Sequence, residues 1–502
     1  MAGRPGMQAV ELYEEPAAVE RPQAPAADAL GAPAAAPGTR ARVPARARRA
    51  RRRWWVLGAA VAVAGVVGAQ VAVDAHQRAQ DARADAVPGA VARADSSLAP
   101  VWRMDDRERR FVASAARIGD TAVGVVTAQD GSRLVSALDV ATGAALWSYP
   151  LNGPDAQRAE GGDDVVQPGS CVAVPEAATP RVACYVTDGV SVQTGGELVL
   201  QLRAGTAGRV VVLDASGARV VDRDAPLATS FTATDRLLVL GASAANQHRE
   251  VDAQDLVTGA PRWTWQTPLA TTYVVGLGQR LAFQPFPVGP DVGVALPGGQ
   301  LVLLGPDGSV AHEPVDGVWS WFVSGSTVVL GVGEDATRLV RAGAPDVVLR
   351  GAPLRTTSDD GSLPGLVLTS EGGSLHAWDA TTGRARWQAS ISPQSRAVVL
   401  RGHVAVLGSG ALVVLDGHSG VTVAATPPAA GATLTPPLSD GRHVLVAQLG
   451  TPDERSTITG YGADGSRAWS APLPAGTRAL QQAGRQLLVY DDAGLEVLGT
   501  RE

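Results

Sequence analysis

The chain has 502 residues, including 58 Gly and 34 Pro, and a formal net charge of -6. This length allows roughly two or three ordinary domains or one large all-β domain built from repeats, and the many turn-forming residues favour the repeats. The negative charge argues against a nucleic-acid-binding protein, because such a protein needs a basic face to displace counterions from phosphate.

The first 53 residues consist mainly of Ala, Pro and Arg, with few large apolar side chains. A segment of this composition cannot bury enough surface to offset the conformational entropy of its chain. We therefore predict a disordered tail over residues 1–53.

An uncharged stretch of twenty residues, from Trp54 to Val73, follows the tail. Its length and apolar character predict a single transmembrane helix over residues 54–73. Eight Arg lie between Arg40 and Arg53, and the positive-inside rule places this flank in the cytoplasm. Everything after Val73 is then extracytoplasmic. The alternative is a cleaved signal peptide, although the apolar region of such peptides is shorter, at about 7–15 residues.

Residues 74–98 are rich in Ala and polar side chains, and we predict that they form an extracytoplasmic stalk. Cys171 and Cys184 follow, each in a short strand-like segment, with residues 175–181 between them. A hairpin would bring the two sulfurs within bonding distance, and an oxidising compartment favours a disulfide. The alternative is two free buried thiols. Because the chain has no other Cys, multi-Cys metal sites are excluded.

One sequence unit recurs along the remaining chain: an apolar strand, an Asp, a turn that contains Gly, and a Trp four residues after that Gly. Four copies are complete, and they end at Trp147, Trp263, Trp387 and Trp469. In weaker copies Val221 and Ala424 stand where Trp would be. A fixed repeat of this kind indicates a repeat architecture, and each unit has room for three or four short strands.

The spacing of the turns predicts how many units there are. Successive Asp residues lie 75, 41, 52, 72, 37 and 48 residues apart, and the shorter steps fit one four-stranded blade of a β-propeller. The two long steps hold an extra blade or a long insertion. We favour eight blades over residues 99–499, with seven or nine as alternatives.

Blades arranged in a ring cover each other's apolar faces, and a Trp is large enough to reach the neighbouring blade. We therefore predict that Trp147, Trp263, Trp387 and Trp469 are structural anchors. The C-terminal segment 486–498 supplies two strands without a final Trp strand, and Pro100–Arg103 resembles the missing strand. Pairing of the two chain ends would close the ring and make Trp102 a fifth anchor.

These units resemble the repeats of the pyrroloquinoline quinone (PQQ) propeller family, whose pattern is an apolar strand, Ala-x-Asp-x-x-Thr-Gly and then Trp. The match is found at Ala137–Trp147, Ala253–Trp263 and Ala377–Trp387, and in part at Tyr461–Trp469. The resemblance implies a propeller fold over about residues 100–499. It specifies the fold and leaves the activity open.

The resemblance also implies what an enzyme of this family would need: a disulfide of adjacent cysteines, a calcium ion and a catalytic Asp. Here the two cysteines are thirteen residues apart, and Asn occurs only as Asn152 and Asn246. The sequence has no His-Glu-x-x-His pair, Gly-x-Ser-x-Gly elbow or P-loop. Asp-Gly pairs such as Asp464-Gly465 fit turns better than calcium loops, since alternating carboxylates are lacking. We predict no catalytic, cofactor-binding or metal-binding residues, and no enzymatic activity.

Two aromatic pairs, Trp263 with Trp265 and Trp319 with Trp321, each place two indoles on one face of a predicted strand. We expect them to be buried in blade packing, and the alternative is an exposed platform for a sugar or peptide.

Taken together, these features predict a single-pass membrane protein that presents a rigid propeller outside the cytoplasm. By resemblance it is similar to non-enzymatic PQQ-like repeat proteins that act as scaffolds, and we expect it to bind envelope proteins or ligands, with no cofactor and no nucleic acid. The alternatives are a quinone-dependent dehydrogenase or small-molecule binder that uses the central channel, and a sensor. A tail of 53 residues is too short for a large cytoplasmic output domain.

Overall fold

A computed structural model describes most of the chain beyond residue 77. The described residues are 78–127, 130, 132–153, 165–166, 169–175, 179–194, 198–203, 205–243, 249–267, 283–296, 298–450, 455–491 and 494–500, together with Gln70 and Ala75. The chain divides into two compact units, Met1–Asp74 and Ala75–Glu502. The predicted tail and transmembrane helix lie outside the described residues, apart from Gln70. None of the described helices combines the length and apolar character that a membrane span requires.

The second unit is mainly β in its described part, with strands numbered β1 to β40, helical residues 78–85, and the helix α1 (Asp106–Ser114) between β1 and β2. Sheet 1 contains β2 (Ala116–Ile118), β3 (Thr121–Thr127), β4 (Arg133–Asp139) and β5 (Ala145–Asn152). Sheet 2 contains β7 (Gly169–Val174), β8 (Arg181–Thr187), β11 (Gly208–Asp214) and β12 (Arg219–Ala225). Sheet 3 contains β13 (Ser230–Ala233), β14 (Leu237–Ser243), β15 (Arg249–Asp255) and β16 (Pro261–Gln266).

Sheet 4 contains β17 (Gln284–Val288), β18 (Asp291–Leu296), β19 (Gln300–Leu304) and β20 (Val310–Val315). Sheet 5 contains β21 (Val318–Ser324), β22 (Thr327–Val332), β23 (Ala336–Val340) and β24 (Val347–Arg350). Sheet 6 contains β25 (Ala352–Asp359), β26 (Leu366–Glu371), β27 (Ser374–Asp379) and β28 (Ala385–Ala389).

Sheet 7 contains β29 (Pro393–Leu400), β30 (His403–Gly408), β31 (Ala411–Asp416) and β32 (Thr422–Thr426). Sheet 8 contains β33 (Thr433–Leu434), β34 (Leu438–Ser439), β35 (Val444–Leu449), β36 (Thr457–Tyr461) and β37 (Arg467–Pro472). Sheet 9 contains β38 (Ala479–Ala483), β39 (Gln486–Asp491) and β40 (Gly494–Thr500), with β1 (Leu98–Met104) as its outermost strand. Each sheet is an antiparallel meander, and a parallel pairing of β25 with β29 joins sheets 6 and 7.

The burial of the strands follows their place in the sheet. Middle strands such as β31 are apolar and buried over four consecutive residues, because neighbouring sheets cover both of their faces. Outer strands such as β5 alternate between exposed and half-buried side chains. Each sheet therefore has a wide apolar surface over its middle strands, which neighbouring sheets have to cover.

The two long steps between repeat turns have different causes. The first holds two insertions. One lies between β5 and β7 and contains β6 (Val165–Val166), and the other lies between β8 and β11 and contains β9 (Val190–Thr194) and β10 (Leu198–Arg203); these three strands form a separate sheet. The second holds the whole of sheet 5, whose turn lacks the repeated Asp before its Gly and whose outer strand lacks the Trp. The described part of the chain thus contains nine such sheets, one of the two alternatives to the favoured eight.

The chain closes on itself as its two ends predict. Strand β1 pairs antiparallel with β40, and this register sets Trp102 opposite Val497 and Leu98 opposite Thr500. The prediction that Pro100–Arg103 complete the C-terminal hairpin is confirmed. Residues from opposite ends of the sequence therefore build one sheet.

The apolar core is divided among the sheet boundaries. Nine clusters of buried side chains occur among the described residues, and each lies between sheets that are consecutive in chain order. The cluster that joins sheet 9 back to sheet 1 contains Leu488 and Val497 from one and Ala122 from the other. The boundaries thus form a closed cycle.

Candidate interaction surface

Each sheet has two ends that face different ways. At one end, called the motif end here, lie the turns from the first to the second strand and from the third to the fourth, such as residues 379–385 of sheet 6. At the other end lies the turn from the second to the third strand, such as residues 409–410 of sheet 7. The repeated Asp and Gly residues all belong to the motif end.

Four of the five predicted anchor tryptophans reach across a boundary in the same way, with the indole N–H donating to a carbonyl of the next sheet's third-to-fourth-strand turn. These bonds run from Trp102 to Val140 (2.9 Å), Trp147 to Ala215 (3.1 Å), Trp263 to Pro306 (3.0 Å) and Trp387 to Gly417 (2.7 Å). Trp387 is 7% exposed, and the other three are half-buried. The Trp of one unit thus fixes its position against the turn of the next.

The turn glycine forms the other half of the same contact. A Cβ added at Gly420 would lie 2.7 Å from Cε3 of Trp387, and one added at Gly308 would lie 2.6 Å from Cγ of Trp263. Both glycines have positive φ, 72° and 82°. Glycine is therefore needed for the left-handed backbone and for close approach of the ring. This explains why Gly and Trp recur together in the sequence, although each of these Trp packs against the Gly of the next sheet and not of its own.

We expect Gly420→Ala to destabilise the fold more than Gly410→Ala in the same sheet. Gly410 also has positive φ, 80°, but an added Cβ there meets nothing within 4 Å. Both changes carry backbone strain of about 1–2 kcal/mol, and Gly420→Ala adds about 1–3 kcal/mol because its Cβ displaces Trp387. Urea unfolding followed by circular dichroism measures both, and equal losses would contradict the ring contact.

Trp469 is arranged differently from the other anchors. Its ring lies against Gly460 in its own sheet, and His443 meets it edge-on with 6.2 Å between ring centroids. It packs on the cluster between sheets 8 and 9, while its buried Nε1 has no hydrogen-bond partner among the described residues. The next turn, from Asp491 to Gly494, departs from the repeat pattern.

Other residues occupy the anchor position in the remaining sheets. His312 stands four residues after Gly308, and its Nε2 lies 2.5 Å from Oδ1 of Asp346 in sheet 5's turn, a carboxylate that Arg338 also contacts. Val347 lies against Gly383, with 2.9 Å between its Cγ1 and an added Cβ. At these two boundaries another residue replaces the Trp, and the outer strand of one sheet still contacts the turn of the next.

The repeated Asp is used by its own turn. One carboxylate oxygen of Asp379 accepts from the backbone N–H groups of Thr381 (3.1 Å) and Thr382 (2.9 Å), and the other accepts from Arg386 (2.8 Å). The Arg386 guanidinium and the Thr382 donors hold the pKa of Asp379 well below its usual range. Asp255 has a similarly lowered pKa, with the Thr258 N–H as the largest cause. These carboxylates serve turn chemistry, and so do Asp307 and Asp464 of the Asp-Gly pairs, which accept from the N–H groups of Ser309 and Ser466.

The sign of this shift makes stability depend on pH in one direction. Because the folded pKa of Asp379 is below the unfolded value of about 3.9, the carboxylate stabilises the fold above that pH and ceases to do so as pH falls through the folded pKa. We expect the stability difference between wild type and Asp379→Asn to shrink as pH falls from 5 toward 2. Urea titrations at several pH values test this. Asp235→Asn, whose carboxylate pairs with exposed Arg236, is the control.

The two cysteines form the predicted disulfide. Cys171 in β7 and Cys184 in β8 are directly opposite each other, with 4.0 Å between their Cα atoms, and both are buried in the cluster between sheets 1 and 2. The hairpin that was predicted from the spacing is present. The bond ties the innermost strand of sheet 2 to its neighbour.

Residues 81–98, called the strap here, lie across the motif ends of sheets 6, 8 and 9. The N–H of Val91 donates to the carbonyl of Ser439 (2.8 Å), and that of Ala92 donates to the carbonyl of Arg485 (2.5 Å). The carbonyl of Gly89 accepts from Ser358 Oγ (2.8 Å) and Gln482 Nε2 (2.9 Å). Most of the segment that the sequence predicts as a stalk is therefore docked against the sheets.

The strap is also held by burial and by charge. Val91 is fully buried and Ala94 is 2% exposed, in the cluster between sheets 8 and 9. Asp85 pairs with Arg485 at 2.7 Å, and Asp81 pairs with Arg442. Between the strap and the motif ends lies an open cavity of about 600 Å³, lined by residues that include Arg83, Pro88, Asp360 and Arg401.

Asp440 connects the strap to sheet 8. Its carboxylate accepts from the N–H of His443 (2.7 Å), from that of Arg442 (2.9 Å) and, at 3.4 Å, from that of Ala94 in the strap. Burial alone raises the pKa of Asp440. The hydrogen bonds from the His443 ring and from the N–H groups of His443 and Arg442 together lower the pKa by more than burial raises it, so the net shift is downward. A buried carboxylate is thus kept ionised by a structural network.

The aromatic pairs are only partly buried. Trp321 stacks on Phe286 with 3.8 Å between ring centroids, and Trp265 packs on the cluster between sheets 3 and 4. Trp319 is 40% exposed, because the β21 register shifts between Val318 and Ser320 and a bulge displaces it. The expected burial therefore does not extend to Trp319.

Exposed apolar side chains are concentrated on the outer, fourth strands of the sheets. Those on or next to an outer strand are Val101, Leu146, Val220, Val310, Val348, Val421 and Val423. Val348 and Val421 are 65% and 64% exposed. The rim formed by these strands is therefore a candidate interaction surface.

The described residues contain no group of three or more His, Cys, Asp or Glu side chains placed to hold a metal ion. Of the seven His, His76 and His248 lie outside the described residues. The strap and the His312–Asp346 contact were missed by the sequence analysis. The apolar Val87 and Val91, in an otherwise polar and Ala-rich stretch, were the signal for the strap.

Comparison with known proteins gives one family match. The family model described as "Outer membrane protein assembly factor BamB", a PQQ-type model, matches residues 371–501, which include the repeats ending at Trp387 and Trp469. The resemblance to PQQ-like repeat proteins is confirmed. A search of curated proteins returned no match.

Solved structures with partial likeness have low identity to this chain. BamB from Moraxella catarrhalis is 15% identical, with a TM-score of 0.36, over 80% of this chain and 99% of its own. The computationally designed Ika8 protein is 13% identical, with a TM-score of 0.34, over 82% and 100%. Kluyveromyces lactis Hsv2 is 10% identical, with a TM-score of 0.29, over 57% and 96%.

Proposed function

We propose that this relative of the PQQ-like repeat proteins is a non-enzymatic scaffold: a nine-bladed β-propeller that a single transmembrane helix over residues 54–73 holds outside the cytoplasm. The observation that carries the proposal is the closed cycle of nine boundaries, each with its own apolar cluster. Sheets that cover each other in a ring are the blades of a propeller.

Rigidity supports the role of a scaffold. Indole N–H bonds and tightly covered glycines fix Trp147, Trp263 and Trp387 against the next sheet, so neighbouring sheets cannot slide without breaking them. The recurring carboxylates, such as those of Asp255 and Asp379, are used in turns. A platform of this kind holds a docking surface in one shape, which lowers the entropic cost of binding.

The kind of partner follows from the family match and the predicted topology. The matching model is described as an outer membrane protein assembly factor, and the Arg-rich flank before Trp54 predicts an extracytoplasmic domain. We therefore propose a protein partner in the cell envelope. The disulfide between Cys171 and Cys184 suits an oxidising compartment of this kind.

Topology is tested with the full chain in cells whose outer layer is made permeable to an added protease while the cytoplasmic membrane stays intact. We expect added protease to digest the domain beyond residue 78, while an epitope at the N-terminus stays protected. Alkaline carbonate should leave the protein in the membrane. Digestion of the epitope, or release by carbonate, would contradict the proposed anchor.

The scaffold role is tested with the purified full chain in lipid nanodiscs. We expect saturable binding of one or a few proteins from a solubilised envelope fraction, and no binding by the same chain after thermal unfolding. A quinone cofactor with Ca²⁺ is added in a separate thermal-shift assay. A saturable rise of the unfolding temperature there, with no protein captured, would favour the quinone-dependent enzyme instead.

A further inference from the structure

The outer strand of sheet 7, β32, has a free edge. Within the described part of the chain β32 pairs with β31 on one side and with no strand on the other. Every second residue of such an edge strand turns its N–H and C=O groups away from the sheet. Proteins usually protect these groups from unwanted pairing with charged side chains or proline.

The other outer strands carry this protection. Their charged residues or prolines include Pro100 and Arg103 in β1, Pro150 in β5, Arg219 and Asp222 in β12, Arg262 in β16, Glu313 in β20, Arg350 in β24, Arg386 in β28 and Arg467 in β37. Strand β32 reads Thr-Val-Ala-Ala-Thr and has neither. Among the nine described outer strands, it alone is unprotected.

The side chains of this edge are apolar and accessible. Val421 and Val423 are 64% and 47% exposed, and Ala425 is exposed as well. Ala424 occupies the anchor position, so no indole covers the edge there. Pro427 and Pro428 end the strand, since neither can donate a ladder hydrogen bond. The accessible edge is therefore about five or six residues long, the length of a short peptide strand.

We propose that β32 is a docking edge that pairs with an extended, uncharged segment of a partner protein. The unpaired backbone groups select a second strand, and the lack of charge over residues 421–426 selects a segment without charge. A second copy of this chain is a poorer occupant, because a stable dimer buries about 1,200 Å² or more in total, far more than one short edge offers. This inference rests on the proposed scaffold function and names its docking mode.

The probe is a fluorescein-labelled Thr-Val repeat peptide of about eight residues with capped ends, long enough to cover the edge. Its binding to the full chain in nanodiscs is measured by fluorescence anisotropy. We expect Val423→Lys to weaken binding by about tenfold or more, because the lysine protects the edge. The matched control is Val348→Lys on β24, which is 65% exposed and should bind the peptide within about twofold of wild type.

A peptide with alternate N-methylated amides should not bind, since it cannot form the ladder. Val423→Lys must retain the wild-type unfolding temperature, which its exposed position favours. Equal binding by Val423→Lys, equal binding of the N-methylated peptide, or equal loss in Val348→Lys would each overturn the inference. The inference would also be overturned if sedimentation velocity shows that the wild type is a dimer and that Val423→Lys is a monomer. If peptide binding fails while the chain still captures an envelope protein, the docking edge is wrong and the scaffold function stands.

Discussion

Replacing Trp387 by Ala is expected to lower the free energy of unfolding by about 3–5 kcal/mol, because it leaves a cavity at the boundary between sheets 6 and 7. Trp387 is 7% exposed, belongs to that boundary's apolar cluster, and donates to the carbonyl of Gly417 at 2.7 Å. Urea unfolding followed by circular dichroism measures the loss. Fluorescence is less suitable, since the chain has 11 Trp.

Two further variants separate the parts of this effect. Trp387→Phe keeps most of the ring but loses the indole N–H, so it should remove about 0.5–1.5 kcal/mol for the hydrogen bond, with a smaller packing loss. Trp319→Ala truncates an indole that is 40% exposed, and it should cost distinctly less than Trp387→Ala. If both Ala variants lose the same stability, Trp387 is not a boundary anchor.

The elements that sequence predicts well are those whose signal is local. A turn needs Asp to bind its own backbone and Gly to take positive φ, so units such as Asp379–Gly383 can be recognised without knowing what surrounds them. The Trp four residues later identifies the outer strand. The disulfide between Cys171 and Cys184 follows from a hairpin, which is also local.

The features that sequence misses are those that depend on distant partners. Sheet 5 lacks the repeated Asp before its turn Gly and the Trp four residues after it, and its boundary with sheet 4 uses His312 and Asp346, two residues 34 positions apart. No pattern within either segment specifies that pair. A boundary that replaces the indole with another contact therefore leaves no repeat signature, and the sheet beside it is not counted from the sequence.

The strap was misjudged for a related reason. Its hydrogen bonds use backbone groups of residues such as Val91 and Ala92, and backbone groups are the same in every sequence. Composition alone therefore could not distinguish a free stalk from a docked segment. What the strap adds is a link between sheets 6, 8 and 9, which it contacts at their motif ends.

This link between the sheets predicts a large effect of one buried charge. We expect Val91→Asp to lower the free energy of unfolding by about 3 kcal/mol or more, because a carboxylate without a partner would enter an apolar cluster. Val91 is fully buried there beside Leu445, Leu487 and Leu498. The strap should also detach, so trypsin should cleave after Arg83 faster than in the wild type.

The matched control places the same charge two residues away. Arg93 is exposed, and Arg93→Asp should change stability by less than about 1 kcal/mol, with cleavage after Arg83 as slow as in the wild type. Similar losses in both variants would mean that charge on this segment, and not burial of Val91, decides stability. Fast cleavage after Arg83 in the wild type would show that the strap is not held against sheets 8 and 9, and that it does not link these sheets.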